Sequence, residues 1–156
     1  MNNNLKPKLN KLKLKLKLAC NKDIKFTFKL YNKNVLENKF FTRKQINFLD
    51  HTKWFEKKIR EKFFFICSIN EKIGYVRFDK IKKKNISVSI AVKKQYQRRG
   101  YGQNMLLKAL NKRKISQQNV WAIVKNKNLT SKKFFLKLGF KYMGNNKFMK
   151  KAKINE

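Results

Sequence analysis

The stretch Gln97-Arg98-Arg99-Gly100-Tyr101-Gly102 decides the fold of this 156-residue chain, because it joins an apolar run to a helical pattern. The apolar run covers residues 86–92, and the helical pattern covers residues 103–110. Backbone N–H groups in the first turn of a helix lack intrahelical partners, and the helix dipole adds positive potential there. Glycines at positions 100 and 102 let the backbone approach an anion closely. The stretch therefore predicts a turn that binds the diphosphate of a cofactor.

The composition indicates one folded domain. With 42% hydrophobic and 13% aromatic residues, a chain of 156 residues can bury about two-thirds of its unfolded surface. No apolar stretch approaches the roughly 20 residues of a membrane span, and no signal peptide is visible. We therefore expect a cytoplasmic protein without a membrane segment. Residues 12–151 are expected to form the domain, and residues 1–11 and 152–156 to be polar, flexible ends.

The cysteine and histidine content argues against a metal site. Cys20 and Cys67 do not form a CxxC motif, and His51 is the single histidine of the chain. Metal sites and disulfide frameworks need several such residues at characteristic spacings. We therefore expect no metal and no disulfide.

The formal net charge of +34 has two interpretations. It could reflect binding to nucleic acid or to an anionic membrane through phosphate neutralisation. It could also reflect a general bias towards Lys, Asn, Phe and Ile, which all have AT-rich codons. The lysines are spread over nearly every segment, which favours the second interpretation. We do not expect nucleic acid to be the partner, although the surface would attract an anionic ligand.

Hydrophobic periodicity predicts alternating strands and helices. Leu at even and Lys at odd positions of residues 11–18 predicts a first strand with one solvated face. Residues 21–32 fit either a strand or a helix that begins at Asn21, and the pattern leaves both open. The other predicted elements are helices at 47–59, 103–110 and 128–138, strands at 62–69, 73–78, 86–92 and 120–124, and short final strands at 140–143 and 147–151.

Three patterns in this order resemble GNAT-type acyl-CoA N-acetyltransferases. The family motif Q/R-x-x-G-x-G/A follows a strand and is matched by residues 97–102. An asparagine then precedes a helix that ends in Gly-Phe, matched by Asn128 and by Gly139-Phe140. The resemblance covers residues 12–151. It implies an α/β GNAT fold with a single mixed, mostly antiparallel twisted sheet of six or seven strands and about four helices, and it assigns residues 21–32 to a helix.

The resemblance implies acetyl-CoA as the co-substrate. Backbone N–H groups from Arg98 to Gly102 would hold the CoA diphosphate, and backbone groups of Ala91 and Val92 would pair with the pantetheine arm like an added strand. Asn128 would contact the pantetheine, with Ser131 nearby. The predicted cofactor site comprises Ala91, Val92, Gln97, Arg98, Arg99, Gly100, Tyr101, Gly102, Asn128 and Ser131.

A finer resemblance points to the acceptor. The element His51-x-x-Trp54-Phe55, together with residues 73–79 and 86–90, resembles a GNAT branch that acetylates nucleotide-linked amino sugars, typically a UDP-bound 4-amino-4,6-dideoxy sugar. The predicted substrate-binding residues are His51, Trp54, Arg77 and Asp79. In a purely structural interpretation, Trp54 and Phe55 would be core residues of a helix and His51 a surface group.

The expected catalytic groups depart from the common family pattern. The amine must lose a proton before it attacks the thioester, and many GNAT enzymes use a Glu for this step and a Tyr as the acid. Here Ser87 and Ser89 occupy the strand in place of the Glu, and Phe135 stands in place of the Tyr. We predict Ser87, Ser89 and His51 as catalytic, with a serine holding a water and His51 or Asp79 accepting its proton. Three tyrosines remain open as the acid, namely Tyr96, Tyr101 and Tyr142.

Two other functions stay open at this point. An enzyme of the same fold could acetylate a protein amine, such as the N-terminus of a ribosomal protein. A degenerate acyltransferase fold could instead bind nucleic acid without catalysis. The sequence is compatible with a monomer or a homodimer.

Overall fold

The computed structural model describes residues 13–37 and 44–153, and its centre is a seven-stranded sheet with the order β1-β2-β3-β4-β5-β7-β6. The strands are β1 (Lys15–Leu18), β2 (Phe64–Ser68), β3 (Lys72–Lys82), β4 (Asn85–Val92), β5 (Asn119–Ile123), β6 (Lys141–Tyr142) and β7 (Lys147–Lys150). The α-helices are α1 (Ile24–Leu36), α2 (Phe48–Arg60), α3 (Tyr101–Leu110), α4 (Arg113–Ser116) and α5 (Leu129–Lys137). Short 3₁₀ helices cover Asn21–Asp23 and Lys94–Tyr96.

One strand pair of the sheet is parallel. β4 and β5 are paired at Asn85–Asn119, Ile86–Val120 and Ser87–Trp121. Among the described residues no pair joins the two strands beyond Ser87, whereas β4 stays paired with β3 as far as Val92. The second half of β4 therefore has β3 on one side and a gap on the other.

Two hydrophobic clusters cover the two faces of the sheet. In β2, Phe65 and Cys67 pack in the cluster that contains the buried side chains of α3, while Phe64 and Ile66 pack in the cluster that contains residues of α1 and α2. This alternation follows from the two-residue period of a strand that is buried on both faces. The strand predicted from the apolar run at residues 62–69 is confirmed as β2, which lies between β1 and β3.

The ambiguous segment after β1 is a helix, as the family resemblance implied. Asp23 supports its start, because its carboxylate accepts the Cys20 N–H at 2.9 Å and pairs with Lys72 at 2.6 Å. Thr27 donates its hydroxyl to the backbone carbonyls of Asp23 and Ile24. The apolar positions that alternated in the sequence are thus accommodated by a helix whose first turn is tied by side chains.

Several strand boundaries differ from the prediction. β1 begins only at Lys15, and residues 11 and 12 of the predicted strand lie outside the described residues. Leu18 is 49% exposed because β1 is the edge of the sheet. β3 continues to Lys82 through residues that looked like a polar connection, since the hairpin turn lies at residues 83–84.

The strand at residues 120–124 is apolar at every position, a pattern that predicts burial on both faces, and this prediction is wrong for one face. Val120 and Ala122 are buried, but Ile123 is 53% exposed. Helix α1 packs on β3 and β4, and α2 reaches β3 through Lys58 and Trp54, whereas no comparably extensive contact joins either helix to β5 among the described residues. The apolar pattern could not show this difference, because it does not reveal how far a helix layer reaches.

Gly74 provides a test of the packing between β3, β4 and α3. A methyl group at this position would lie 2.3 Å from the Ala91 carbonyl oxygen and 2.7 Å from Met105 Cε. We expect Gly74→Ala to lower the free energy of unfolding by about 1–3 kcal/mol, measured by urea denaturation, because the backbone oxygen cannot move aside. Gly102→Ala is the matched control, since its nearest atom would be 3.6 Å away. Equal stability of both variants would contradict this packing.

Candidate active site

The turn at residues 97–102 ends in an open helix terminus. The first α-helical hydrogen bond of α3 runs from the Asn104 N–H to the Gly100 carbonyl at 3.1 Å. The N–H groups of Tyr101, Gly102 and Gln103 have no backbone acceptor within the described part of the chain. Gly100 has a φ of 80° and has no side chain to cap the helix. The helix start therefore presents unpaired donors at its positive end.

The side chains of the turn have two roles: one holds the turn against β4, and two others supply positive charge. Gln97 Nε2 donates to the Val92 carbonyl at 2.8 Å and so ties the turn to the end of β4. Arg98 and Arg99 are exposed, and Arg98 has a φ of 59°, in the left-handed region. The predicted cations thus lie at the surface next to the open helix end, where they add to its positive potential.

The backbone of β4 faces the gap at alternate residues. The Lys93 N–H donates to the Ile73 carbonyl at 2.8 Å, and an antiparallel ladder alternates the direction of its groups. The N–H and C=O of Ala91 therefore point towards β3, while those of Ile90 and Val92 point towards the gap. The sequence prediction named Ala91 and Val92; the ladder directs the groups of Ile90, rather than those of Ala91, into the gap.

Helix α5 packs beside the same turn. A methyl group built on Gly102 would lie 3.7 Å from the ring of Phe134 in α5. Asn128 is the N-cap of α5, and its Oδ1 accepts the Ser131 N–H at 3.0 Å. The structure therefore brings together Asn128 and Ser131, as predicted, and gives the asparagine side chain a capping role as well.

A polar cluster lies on the face of the sheet that packs against α1 and α2. Arg77 donates from Nε to Asp79 Oδ2 at 2.9 Å and from Nη2 to Ser89 Oγ at 3.2 Å. Its guanidinium carbon lies 4.8 Å from the centre of the Trp54 ring, a cation–π contact. Three predicted substrate residues, Trp54, Arg77 and Asp79, thus meet one predicted catalytic residue, Ser89. Ser87 lies opposite Asp79 in the ladder.

Lys58 completes this cluster and was missed by the sequence analysis. Its Nζ lies 2.7 Å from Asp79 Oδ1. Burial by itself would lower the pKa of Lys58, but the Asp79 and Glu61 carboxylates together raise it. The available signal was its position four residues after Trp54, which places both side chains on one face of α2. That spacing could not show that Lys58 meets Asp79, because Asp79 lies on β3.

His51 does not lie where a catalytic or substrate-binding histidine must lie. It is fully buried, its Nε2 is 3.0 Å from Thr27 Oγ1, and its ring packs near Phe28, Trp54 and Phe55. Burial lowers its pKa to about 4. A side chain with no exposed surface cannot contact a substrate, so the structure does not support the predicted role, and the surface position of the structural alternative is wrong as well.

The three tyrosines occupy different environments. The Tyr96 hydroxyl donates to Glu71, and this hydrogen bond raises the pKa of Tyr96, which makes it a poorer acid. Its ring packs edge-on against Tyr101, with centroids 5.8 Å apart. Tyr142 is exposed and packs on Phe148. Phe135, at the position where the family pattern has Tyr, is buried.

The described residues contain no group of three or more His, Cys, Asp or Glu side chains that could hold a metal ion. In the same part of the chain, no helix has both the length and the apolar character needed to cross a bilayer.

A sequence comparison defines the class of this protein. The profile of the acetyltransferase (GNAT) domain family matches residues 60–142, more than half of the chain. The chain therefore belongs to the GNAT family, and it is an N-acetyltransferase. The match covers β2 to β6, including the gap and the open end of α3.

Comparison with solved structures shows the same fold. An N-acetyltransferase from Staphylococcus aureus Mu50 is 19% identical with a TM-score of 0.80, over 90% of this chain and 99% of that one. The Salmonella typhimurium protein yncA, with its cofactor acetyl-CoA, is 16% identical with a TM-score of 0.78, over 92% and 96%. The spermidine N-acetyltransferase from Vibrio cholerae, in complex with CoA and spermine, is 17% identical with a TM-score of 0.74, over 87% and 91%. No curated protein sequence matches the chain.

The buried histidine predicts a specific pH dependence of stability. The pKa of His51 is about 6.5 when unfolded and about 4 when folded, so the unfolded state binds more protons between these values. The stabilising effect of its neutral state is complete above pH 6.5 and is lost as the pH falls towards 4. Its contribution to the free energy of unfolding should decrease by about 2 kcal/mol from pH 7.5 to pH 5.

Urea denaturation of the wild type and of His51→Leu at both pH values measures this effect. We expect the variant to lose this part of the pH dependence and, where folded, to keep its turnover. An identical pH dependence in both proteins would contradict the assignment, and a folded variant without turnover would restore the catalytic role.

Proposed function

We propose that the protein binds acetyl-CoA along the gap between β4 and β5 and acetylates the amine of a nucleotide-linked amino sugar. The observation that carries this proposal is that β4 leaves β5 after Ser87 and that the open end of α3 follows at the end of β4. An extended polar arm can pair with the free edge of a strand, and a diphosphate can bind at a helix N-terminus.

The residues of the turn fit a CoA diphosphate. The N–H groups of Tyr101, Gly102 and Gln103 are donors without a backbone acceptor in residues 13–37 and 44–153, and Arg98 and Arg99 add two cations. Gly102 has no side chain, so the space beside its backbone, where a methyl group would lie 3.6 Å from Val92 Cγ2, is open to the diphosphate. In the gap, both backbone groups of Ile90 and the N–H of Val92 face the position proposed for the pantetheine, while the Val92 carbonyl already accepts the Gln97 side chain. Asn128 is proposed as a further contact, with Ser131 beside it.

The charge of the chain favours an anionic acceptor. The sequence has 42 Lys and Arg residues but only 8 Asp and Glu residues. Asp23, Glu61, Glu71 and Asp79 already form ion pairs with lysine or arginine. A polycationic acceptor would therefore meet repulsion and few available carboxylates, whereas the diphosphate of a nucleotide sugar would be attracted.

The acceptor is proposed to bind near the polar cluster on β3 and β4. The Arg77 guanidinium stacks on the ring of Trp54 and is held in place by hydrogen bonds to Ser89 and Asp79. These contacts order the side chains before the substrate arrives, which lowers the entropy cost of binding. The serines of the cluster lie on β4, and the second half of β4 borders the gap. An acceptor held at the cluster would therefore be close to the proposed thioester.

Proton removal is assigned to water held by the strand serines. Acetyl-CoA would supply the activated acetyl thioester. Both oxygens of Asp79 are already bonded, Oδ1 to Lys58 and Oδ2 to Arg77, so taking up a proton there would weaken two ion pairs. Ser87 and Ser89 remain as hydroxyls that could orient a water beside the amine. A sugar amine has a lower pKa than a lysine amine, so positioning can provide much of the rate enhancement.

A thiol-release assay with acetyl-CoA tests the acceptor. We expect a UDP-linked amino sugar to raise CoA release well above hydrolysis, with a KM that increases with salt because exposed charges are screened. The comparison acceptors are spermidine, a ribosomal-protein N-terminal peptide and the free amino sugar without the nucleotide. Faster turnover with spermidine or the peptide would reject the nucleotide-sugar assignment, and no stimulation by any amine would reject the proposed reaction.

Gly100→Val tests the cofactor turn. Gly100 has a φ of 80° and no atom within 4 Å of an added Cβ, so the substitution strains the backbone without a steric clash. We expect the dissociation constant of CoA, measured by calorimetry, to rise about tenfold or more, because the unpaired N–H groups change direction. Gly144→Val is the matched control, since Gly144 has a φ of 84° and equally open surroundings in the β6–β7 turn. Similar CoA affinity for both variants would contradict the assignment.

A further inference from the structure

Glu71 connects the β2–β3 turn to the segment that leads into the cofactor turn. Its Oε2 is 2.5 Å from Lys93 Nζ, and its Oε1 accepts a hydrogen bond from the Tyr96 hydroxyl. These contacts span 22 and 25 residues of sequence. Glu71 is thus a long-range link between two loops.

The segment that Glu71 holds is rich in like charges. Lys93, Lys94, Arg98 and Arg99 all lie within seven residues. Among the ion pairs of the described residues, the Glu71 carboxylate is the only one that reaches this segment. Such a segment repels itself, and a carboxylate that bonds to it offsets this repulsion locally.

The link continues from Tyr96 into α3. The ring of Tyr96 packs edge-on against Tyr101, the first residue of α3, with an interplanar angle of 83°. Between them, Arg98 and Gly100 adopt positive φ angles. The conformation of residues 98–100 therefore depends on the contacts at both ends of the turn. These are made by α3 on one side and by Tyr96 and Gln97 on the other.

We propose that Glu71 is a positioning residue for the cofactor turn, acting through Tyr96 on the direction of the unpaired N–H groups at the start of α3. This inference rests on the proposed acetyl-CoA site. Glu71 touches neither the proposed diphosphate site nor the polar cluster on β3 and β4. Its effect is to preorganise a cationic segment, so that less ordering is required when an anion binds.

The ionisation of both partners is compatible with this role. Hydrogen bonds from Lys93 and Tyr96 lower the pKa of Glu71, and the hydrogen bond to Glu71 raises the pKa of Tyr96. At neutral pH the carboxylate is therefore charged and the phenol keeps its proton, which is the state that the hydrogen bond requires.

Calorimetric CoA binding by Glu71→Gln tests the proposal, with CoA itself as the probe. Because this contact is exposed and screened by solvent, we expect the dissociation constant to rise about fivefold or less, but measurably. The KM for acetyl-CoA should rise in parallel while kcat is nearly unchanged. Glu56→Gln, on the exposed side of α2, is the matched control. Equal CoA affinity of the two variants would overturn the proposal.

A double-mutant cycle tests whether the effect passes through Tyr96. Tyr96→Phe removes the hydroxyl and keeps the ring on Tyr101, so Glu71→Gln combined with Tyr96→Phe should bind CoA no more weakly than Glu71→Gln alone. Independent, additive losses would overturn the proposed route.

Hydrogen exchange separates this proposal from that of the cofactor site. Without CoA, amides of residues 93–104 should exchange faster in Glu71→Gln than in Glu56→Gln. If the wild type did not bind CoA, the cofactor site would be rejected. Unchanged exchange in Glu71→Gln would reject the positioning role, whatever the result with CoA.

Discussion

The separation of β4 from β5 is the constraint on which the rest of this structure depends. Three residue pairs hold the strands together up to Ser87 and Trp121, and beyond them no strand among the described residues borders β4 on that side. A free strand edge is open to an added strand, and here it leads directly to the open end of α3. On the sheet face that packs against α1 and α2, the polar side chains of Arg77, Asp79 and Ser89 lie together on β3 and β4. The same separation thus organises the proposed sites of both substrates.

Scarce carboxylates organise a strongly cationic chain. Asp23 pairs with Lys72 at the start of α1, Asp79 pairs with Arg77 and Lys58, and Glu71 binds Lys93 and Tyr96. Each of these paired carboxylates orders the loop, strand or helix start in which it lies. The positive surface that remains is suited to anionic ligands, which agrees with both a CoA donor and a nucleotide-linked acceptor.

The sequence analysis succeeded where a signal is local. The turn at residues 97–102, its preceding strand and its following helix were predicted because a glycine pattern and hydrophobic periodicity are properties of short segments. The GNAT fold followed from three such segments in order, and the family match and the structural comparison confirm it. The assignment of residues 21–32 to a helix needed the family resemblance, because the spacing of their apolar residues fits both the period of a strand and that of a helix. The nucleotide-sugar acceptor stays a prediction.

By itself, the sequence determined the order of the elements, the glycine turn and the cationic character of the chain, because these depend on neighbouring residues. Only the tertiary structure decided which side chains meet. It buried His51 between α1 and α2, joined Lys58 to Asp79, and directed the backbone groups of Ile90 rather than Ala91 towards the gap. It also linked Glu71 to Tyr96 across 25 residues. Such contacts arise from the packing of separate elements and from strand register, and a one-dimensional pattern contains neither.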